Sequence, residues 1–295
     1  MRRFSYSTLD VFTTTRFGGN QLAVFTDAAG LSDAEMQSLA AEMNLSETSF
    51  VLPPEDPANT ARVRIFNRTA EMPFAGHPNV GTGFVLARLG RVPNGVARFE
   101  EIAGLVEVRI AKGEDGEAAG AEIDAPQPLQ LLGELPAEDI AACVGLASER
   151  MVTAAHPPLL ATTGVDFIIA QVAEDALPDA APDLAAFRGA AAKHGQPGER
   201  FSIFVYSRSE SGVRARMFAP LSGTWEDPAT GSANATLGAL LLSLSGEESL
   251  SYEAVQGVEM GRPSHLSVSA RRTPDGIRAS VGGSCVPVFE GEVRL

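Results

Sequence analysis

Residues 61–90 read ARVRIFNRTAEMPFAGHPNVGTGFVLARLG, and residues 212–244 read GVRARMFAPLSGTWEDPATGSANATLGALLLSL. Both tracts begin with a short β-rich run, RVRIF or RARMF, pass a turn bearing glycine, and enter a helix of small and apolar residues. The likeness extends upstream. GNQLAVFTD and LSDAEMQSLAAEMNLSETSFVL precede the first tract, and TGVDFIIAQV and PDLAAFRGAAAKHGQPGERFSIFVYS precede the second. Each half therefore gives strand, helix, strand, strand, glycine turn and helix. Matching Val24 to Ile169, Phe50 to Phe204 and Gly76 to Gly231 gives offsets of 145, 154 and 155. A shift this steady is the signature of a duplicated unit with loop insertions.

Local signals define the elements. Ser32 with Glu35 forms a capping-box pattern, and Met36, Leu39, Ala40 and Met43 recur at helical spacing. The segments NVGTGFVLA and NATLGALLL are apolar on most sides and rich in Gly and Ala, which predicts buried helices that strands approach closely. The expected architecture is α/β in content (α+β): two pseudo-symmetric domains, each a curved, mainly antiparallel sheet or barrel around one central helix. The first half is expected over residues 1–118 and the second over 119–279. The Gly-, acid- and Pro-rich GEDGEAAGAEIDAPQP lies at the junction, and a closing strand at about 280–295 returns to the first half.

Bulk properties narrow the partners. The 295 residues suffice for two domains of ~100–200 residues each, and 44% hydrophobic with 20% charged residues is the composition of a globular protein. A formal charge of −14 argues against nucleic acid and against anionic membranes. It leaves room for a small anionic metabolite, which local groups would hold. Cys143 and Cys285 lack metal-ligand spacing, and a reducing compartment is the simplest reading, with a single bridge left open. MRRFSYSTLDVF has no apolar signal-peptide core, and LGALLLSL is far shorter than the ~18–20 residues of a membrane span. A soluble, cytoplasmic protein is expected.

The two glycine turns are the candidate site. The first N–H groups of a helix lack intrahelical partners and carry about half a positive charge, so a helix start can bind a carboxylate or an enolate-like oxyanion. Gly76 and Gly231 would let a ligand approach the backbone, Pro78 suits the first helical position, and Ser232 can cap or donate. If the halves are related by an approximate twofold, the two helix starts face one cleft. Glu47, between a helix and a strand in LSETSF, is the candidate proton-transfer carboxylate, with partial desolvation as the means of tuning it. His77 and Asp227 are the other titratable groups at these starts, and Asn79 and Thr230 complete the candidate binding set. Each has a plainer reading: a solvated edge glutamate, a packed core histidine, an ordinary Asp-Pro turn. DPATGS lacks the lysine and glycine spacing of a phosphate loop. His77, His156, His194 and His265 form no close pair and no cysteine joins them, so no metal is expected.

With DVFTTTRFGGNQLAVF, LSETSFV, EMPFAGHPNVGTGFVL, WEDPATGSAN, QGVEMGRPS and VGGSCVPVFEGE in this order, the chain resembles the phenazine-biosynthesis PhzF-like family of the diaminopimelate-epimerase fold superfamily along nearly its whole length. The resemblance implies a diaminopimelate-epimerase-like fold, a cofactor-independent isomerase and a homodimer. It implies that a glutamate at the position of Glu47 moves a proton between carbons of a substrate such as trans-2,3-dihydro-3-hydroxyanthranilate. His77, Asp227 and Ser232 carry over by motif as catalytic groups that orient the substrate or shuttle the proton, and Gly76 and Gly231 as the glycines of the two helix starts. The two cysteines of the epimerase branch have no counterpart here: Ala75 and Pro228 occupy those places in the turn alignment, so two-thiol racemisation is excluded. Two alternatives stand beside the isomerase: an epimerase or racemase using carboxylates, and a non-catalytic binder of small molecules. Arg262, in MGRPS, either touches an anion or supports a turn.

Overall fold

A computed structural model describes residues 1–195, 201–209 and 212–295; residues 196–200, within one of the tracts quoted above, lie outside that set. The chain divides into a first unit, Met1–Asp124 with Gly282–Leu295, and a second, Ala125–Val281. No helix among the described residues is long and apolar enough to cross a membrane.

The first unit runs β1 (Arg3–Val11), β2 (Asn20–Phe25), α1 (Asp33–Met43), β3 (Glu47–Leu52), β4 (Ala61–Phe66), β5 (Glu71–Met72), α2 (Gly76–Arg88), β6 (Val96–Glu101), β7 (Gly104–Lys112) and β8 (Ala118–Asp124). A boundary at 118/119 would cut off β8, which stays in the first unit because it pairs antiparallel with β7 and packs on α2. Strand β1 pairs antiparallel with β2, β2 runs parallel to β3 through α1, and β3 pairs antiparallel with β4.

Alternation along the strands sends side chains to two layers. Phe25 stacks on Phe50 with ring centroids 4.9 Å apart, and both pack with Met36, Leu39 and Ala40 of α1. Helix α1 starts on the expected capping box, in which Ser32 accepts from the Glu35 N–H and the Glu35 carboxylate accepts from Ser32. It ends at Asn44 in the left-handed conformation. On the other sheet face Leu22 and Val11 meet α2, whose residues Gly76–Leu86 are all buried. A Cβ at Gly81 would lie 2.5 Å from Leu22 and 2.9 Å from Val11, so glycine is what allows this approach.

The second unit repeats the plan after an added hairpin arm: β9 (Gln130–Glu134), α3 (Ala137–Cys143), β10 (Leu159–Thr162), β11 (Asp166–Gln171), α4 (Leu184–His194), β12 (Ile203–Ser209), β13 (Gly212–Ala219), β14 (Thr224–Asp227), α5 (Gly231–Ser243), β15 (Ser249–Gln256) and β16 (Ser264–Thr273). Strand β11 runs parallel to β12, and β13 pairs antiparallel with β12 and parallel with β15. Helix α5 is the buried central helix, with Gly238 against Val268, while Phe187 of α4 and Phe218 pack on the opposite face. The last strand, β17 (Gly276–Arg294), passes into the first unit at Gly282 and pairs antiparallel with β1, Arg3 opposite Arg294 and Val11 opposite Cys285. Both units are thus mainly antiparallel sheets around a central helix.

The strand registers correct the sequence alignment by one residue. Val24 lies opposite Ser49 and Ile169 opposite Phe204, so Ser49, not Phe50, is the counterpart of Phe204. Aromatic identity misled the match. The corrected offset for β3 and β12 equals that of the helices, 155.

Candidate active site

The start of α2 gathers the first cluster. Ala75 is the N-cap, and no side chain caps this helix, in contrast to α1. His77 is buried in the first turn. Glu47, the first residue of β3, is paired with Leu22, the β2 residue that meets α2, and its Oε2 lies 3.4 Å from His77 Nδ1. Asn20, the buried first residue of β2, places its Nδ2 3.4 Å from the same nitrogen, while its Oδ1 accepts from Ser46 Oγ at 3.1 Å. Asn79 turns its amide back to the Ala75 carbonyl at 3.1 Å.

The start of α5 gathers the second. Thr230 is the N-cap, again without a side-chain cap on the helix. Its hydroxyl donates to Asp227 Oδ2 at 2.7 Å, and its N–H donates to Gln256 Oε1 at 3.1 Å. Gln256 also donates to the Asp227 carbonyl at 2.9 Å and accepts from Asn234 at 3.0 Å. Asp227, Thr230, Asn234 and Gln256 are all buried. Among the described residues no three His, Cys, Asp or Glu side chains gather to hold a metal ion.

A family model for phenazine biosynthesis-like proteins matches residues 9–291. The chain belongs to this PhzF family. An uncharacterized isomerase of Mesorhizobium japonicum is 38% identical over the whole of both chains. The trans-2,3-dihydro-3-hydroxyanthranilate isomerase of Pseudomonas aeruginosa is 33% identical, with 98% of this chain and 99% of that one covered. Among solved structures, a predicted epimerase of Pseudomonas aeruginosa matches with 29% identity, a TM-score of 0.80 and 99% of each chain covered. A PhzF-family phenazine biosynthesis protein of Bacillus anthracis shares the fold along the full length of both chains, with a TM-score of 0.88 at 24% identity.

Within this PhzF-family chain the structure brings Glu47 and His77 together in the first unit, and Asp227 and Thr230 together in the second. Three local expectations change. Pro78 is the third residue of α2, not the first, because the helix already begins at Gly76. Ser232 is the second residue inside α5 and does not cap it; Thr230 holds the N-cap position. For the same reason Thr230, not Pro228, is the counterpart of Ala75, and neither place holds a cysteine. Arg262 lies in a turn, its N–H donating to the Gly257 carbonyl at 3.0 Å and its own carbonyl accepting from Ser264.

Sequence reading missed Asn20 and Gln256. The GN turn gave Asn20 no visible partner, since His77 is 57 residues away. Gln256 was accessible: carrying the offset of 155 past the helices sets it against Glu101.

Proposed function

We propose that the protein is a cofactor-independent isomerase in which Glu47 removes a C–H proton from a small carboxylated metabolite and returns it at another carbon. The observation that carries this reading is the Glu47–His77 pair, 3.4 Å apart and largely withdrawn from solvent, at a helix start that no side chain caps. A carboxylate in that setting can exchange a proton with a substrate carbon, and the free end of α2 favours the negative charge that develops. Asp227 and Ser232, with the backbone at Gly76, Gly231, Asn79 and Thr230, are assigned to orienting the substrate's polar groups. The substrate type we favour is that of the relative named trans-2,3-dihydro-3-hydroxyanthranilate isomerase. A homodimer in the cytoplasm belongs to the same proposal.

The test is turnover of trans-2,3-dihydro-3-hydroxyanthranilate, and then of a panel of small unsaturated carboxylic acids, in D₂O. Mass spectrometry should find up to one deuterium at the new C–H position, because the proton held on the carboxyl exchanges with solvent before its return, and Glu47→Gln should slow its entry about 10²–10⁴-fold. Unchanged incorporation in that variant would remove Glu47 from the role. The relative described as a predicted epimerase supports a second reading, with deuterium entering at a stereocentre. Inversion at an otherwise unchanged carbon, in place of a shifted double bond, would select it.

A further inference from the structure

His77 Nδ1 faces two groups that ask opposite things of it. A Glu47 carboxylate 3.4 Å away calls for an N–H, whereas the Asn20 Nδ2, also 3.4 Å away, brings a hydrogen of its own and calls for a lone pair. Asn20 is fixed in place. It opens β2 opposite Val11, and the preceding Gly19 has φ +62°, where a Cβ would fall 2.3 Å from the Val11 carbonyl oxygen. Its amide lies with Oδ1 accepting from Ser46 Oγ and with Nδ2 toward the His77 ring. The hydrogens of Nδ2 are thereby directed at the ring.

We infer that Asn20 is a positioning residue that sets the tautomer of His77, keeping Nδ1 as an acceptor toward Glu47 and the ring proton on Nε2. This rests on Glu47 being the acid–base group. The consequence is a shared proton. When the Glu47 carboxylate has taken a substrate proton, the resulting acid can pass it to Nδ1, giving carboxylate and imidazolium. The reverse transfer restores the neutral ring and the acid that reprotonates the other carbon. Both contacts are long for hydrogen bonds, as acid–base contacts commonly are before substrate tightens them. Ser46 and Glu47, neighbours in the chain, hold the two ends of this Ser46–Asn20–His77–Glu47 circuit.

His156 supplies an internal reference with the opposite tautomer. Its Nδ1 lies 2.7 Å from the Pro157 carbonyl, which only accepts, so Nδ1 carries the hydrogen and Nε2 accepts from Tyr206 at 2.8 Å. Ring ¹⁵N NMR of the wild-type protein at pH 8 should therefore show His77 protonated at Nε2 and His156 protonated at Nδ1. In Asn20→Asp the donor becomes an acceptor, the His77 proton should move to Nδ1, and deuterium exchange should fall at least about tenfold, with the His156 pattern unchanged as the sign of an intact fold. Should Asn20→Asp lose that pattern, Asn20→Ala is the substitute, with the same shift expected because Glu47 alone then governs Nδ1. A wild-type His77 protonated at Nδ1, or a ring that ignores both substitutions, overturns the inference. A ring that follows Asn20 in a protein exchanging no deuterium supports it and overturns the isomerase reading instead.

Discussion

Matched through their strand registers, the two units carry the same frame and different chemistry. Arg64 answers to Arg216 and Glu71 to Glu226, and in both units the arginine grips its glutamate through two parallel bonds of 2.6–2.8 Å. Asn79 answers to Asn234, each turning its amide to the carbonyl of the helix N-cap residue. Beyond this frame they part. Around α5 the side chains of Asp227, Thr230, Asn234 and Gln256 are joined in one hydrogen-bond network. Around α2 the titratable Glu47 and His77 meet in their place. A hydrogen-bond network holds a shape, whereas an acid–base pair can move a proton.

The largest test of that division is kinetic. On a substrate that exchanges deuterium, Glu47→Gln should lower kcat by about 10²–10⁴-fold with KM little changed. Asp227→Asn should chiefly raise KM, since it disturbs the group that orders Thr230. The reverse pattern would break the comparison.

The paired forks should differ next in stability. Arg216 is 7% exposed and also donates to the carbonyls of Leu177, Pro178 and Ala180. Arg216→Ala strands Glu226 in the interior and should cost about 3–5 kcal/mol. Arg64 is 15% exposed, and its second partner, Asp33, is 83% exposed, so Arg64→Ala should cost about 1–2 kcal/mol. Urea midpoints of the two variants measure the difference, and equal losses would show that burial does not govern it.

These pairings mark the limit of what the sequence made legible. The capping box at Ser32 and Glu35 and the apolar helices at Gly76 and Gly231 were visible because their determinants lie within a few residues of each other. The order of elements was visible because the halves repeat. The forks and the Asn20–His77 contact depend on strands brought side by side, and no local pattern announces a partner 57 residues away. The register error at Phe50 has the same origin: parallel pairing, fixed by which faces are buried, decides the match, and likeness of side chains does not. Glu47 and Asp227 could be nominated from their motifs, but what each touches could not.

The sharpest contrast between the units is Glu101 against Gln256, both at strand ends beside the central helix and both next to its asparagine. The amide of Gln256 donates and accepts at once. Glu101 cannot donate unless protonated, and its two carboxyl oxygens are buried without a hydrogen-bond partner in good geometry among the described residues. Burial therefore pushes its pKa up to about 8, with Asn79 offsetting part of the rise. The sign of the effect follows. The unfolded chain releases this proton near its ordinary value of 4.5 and the folded chain near 8. Stability from this group is thus full below 4.5, declines as pH rises through the interval between the two values, and levels off above 8. Glu101→Gln removes the titration and makes the first unit resemble the second. It should stabilise the protein by about 1–3 kcal/mol at pH 7 and flatten the dependence of the urea midpoint on pH between 5 and 8. The reciprocal Gln256→Glu should impose a dependence of the same sign on the second unit, because one oxygen of the new carboxyl would face the acceptors at Asp227 and Thr230. Parallel pH curves for wild type and Glu101→Gln would mean that Glu101 is ionised in the folded protein, and the likeness between the two positions would then end at the backbone.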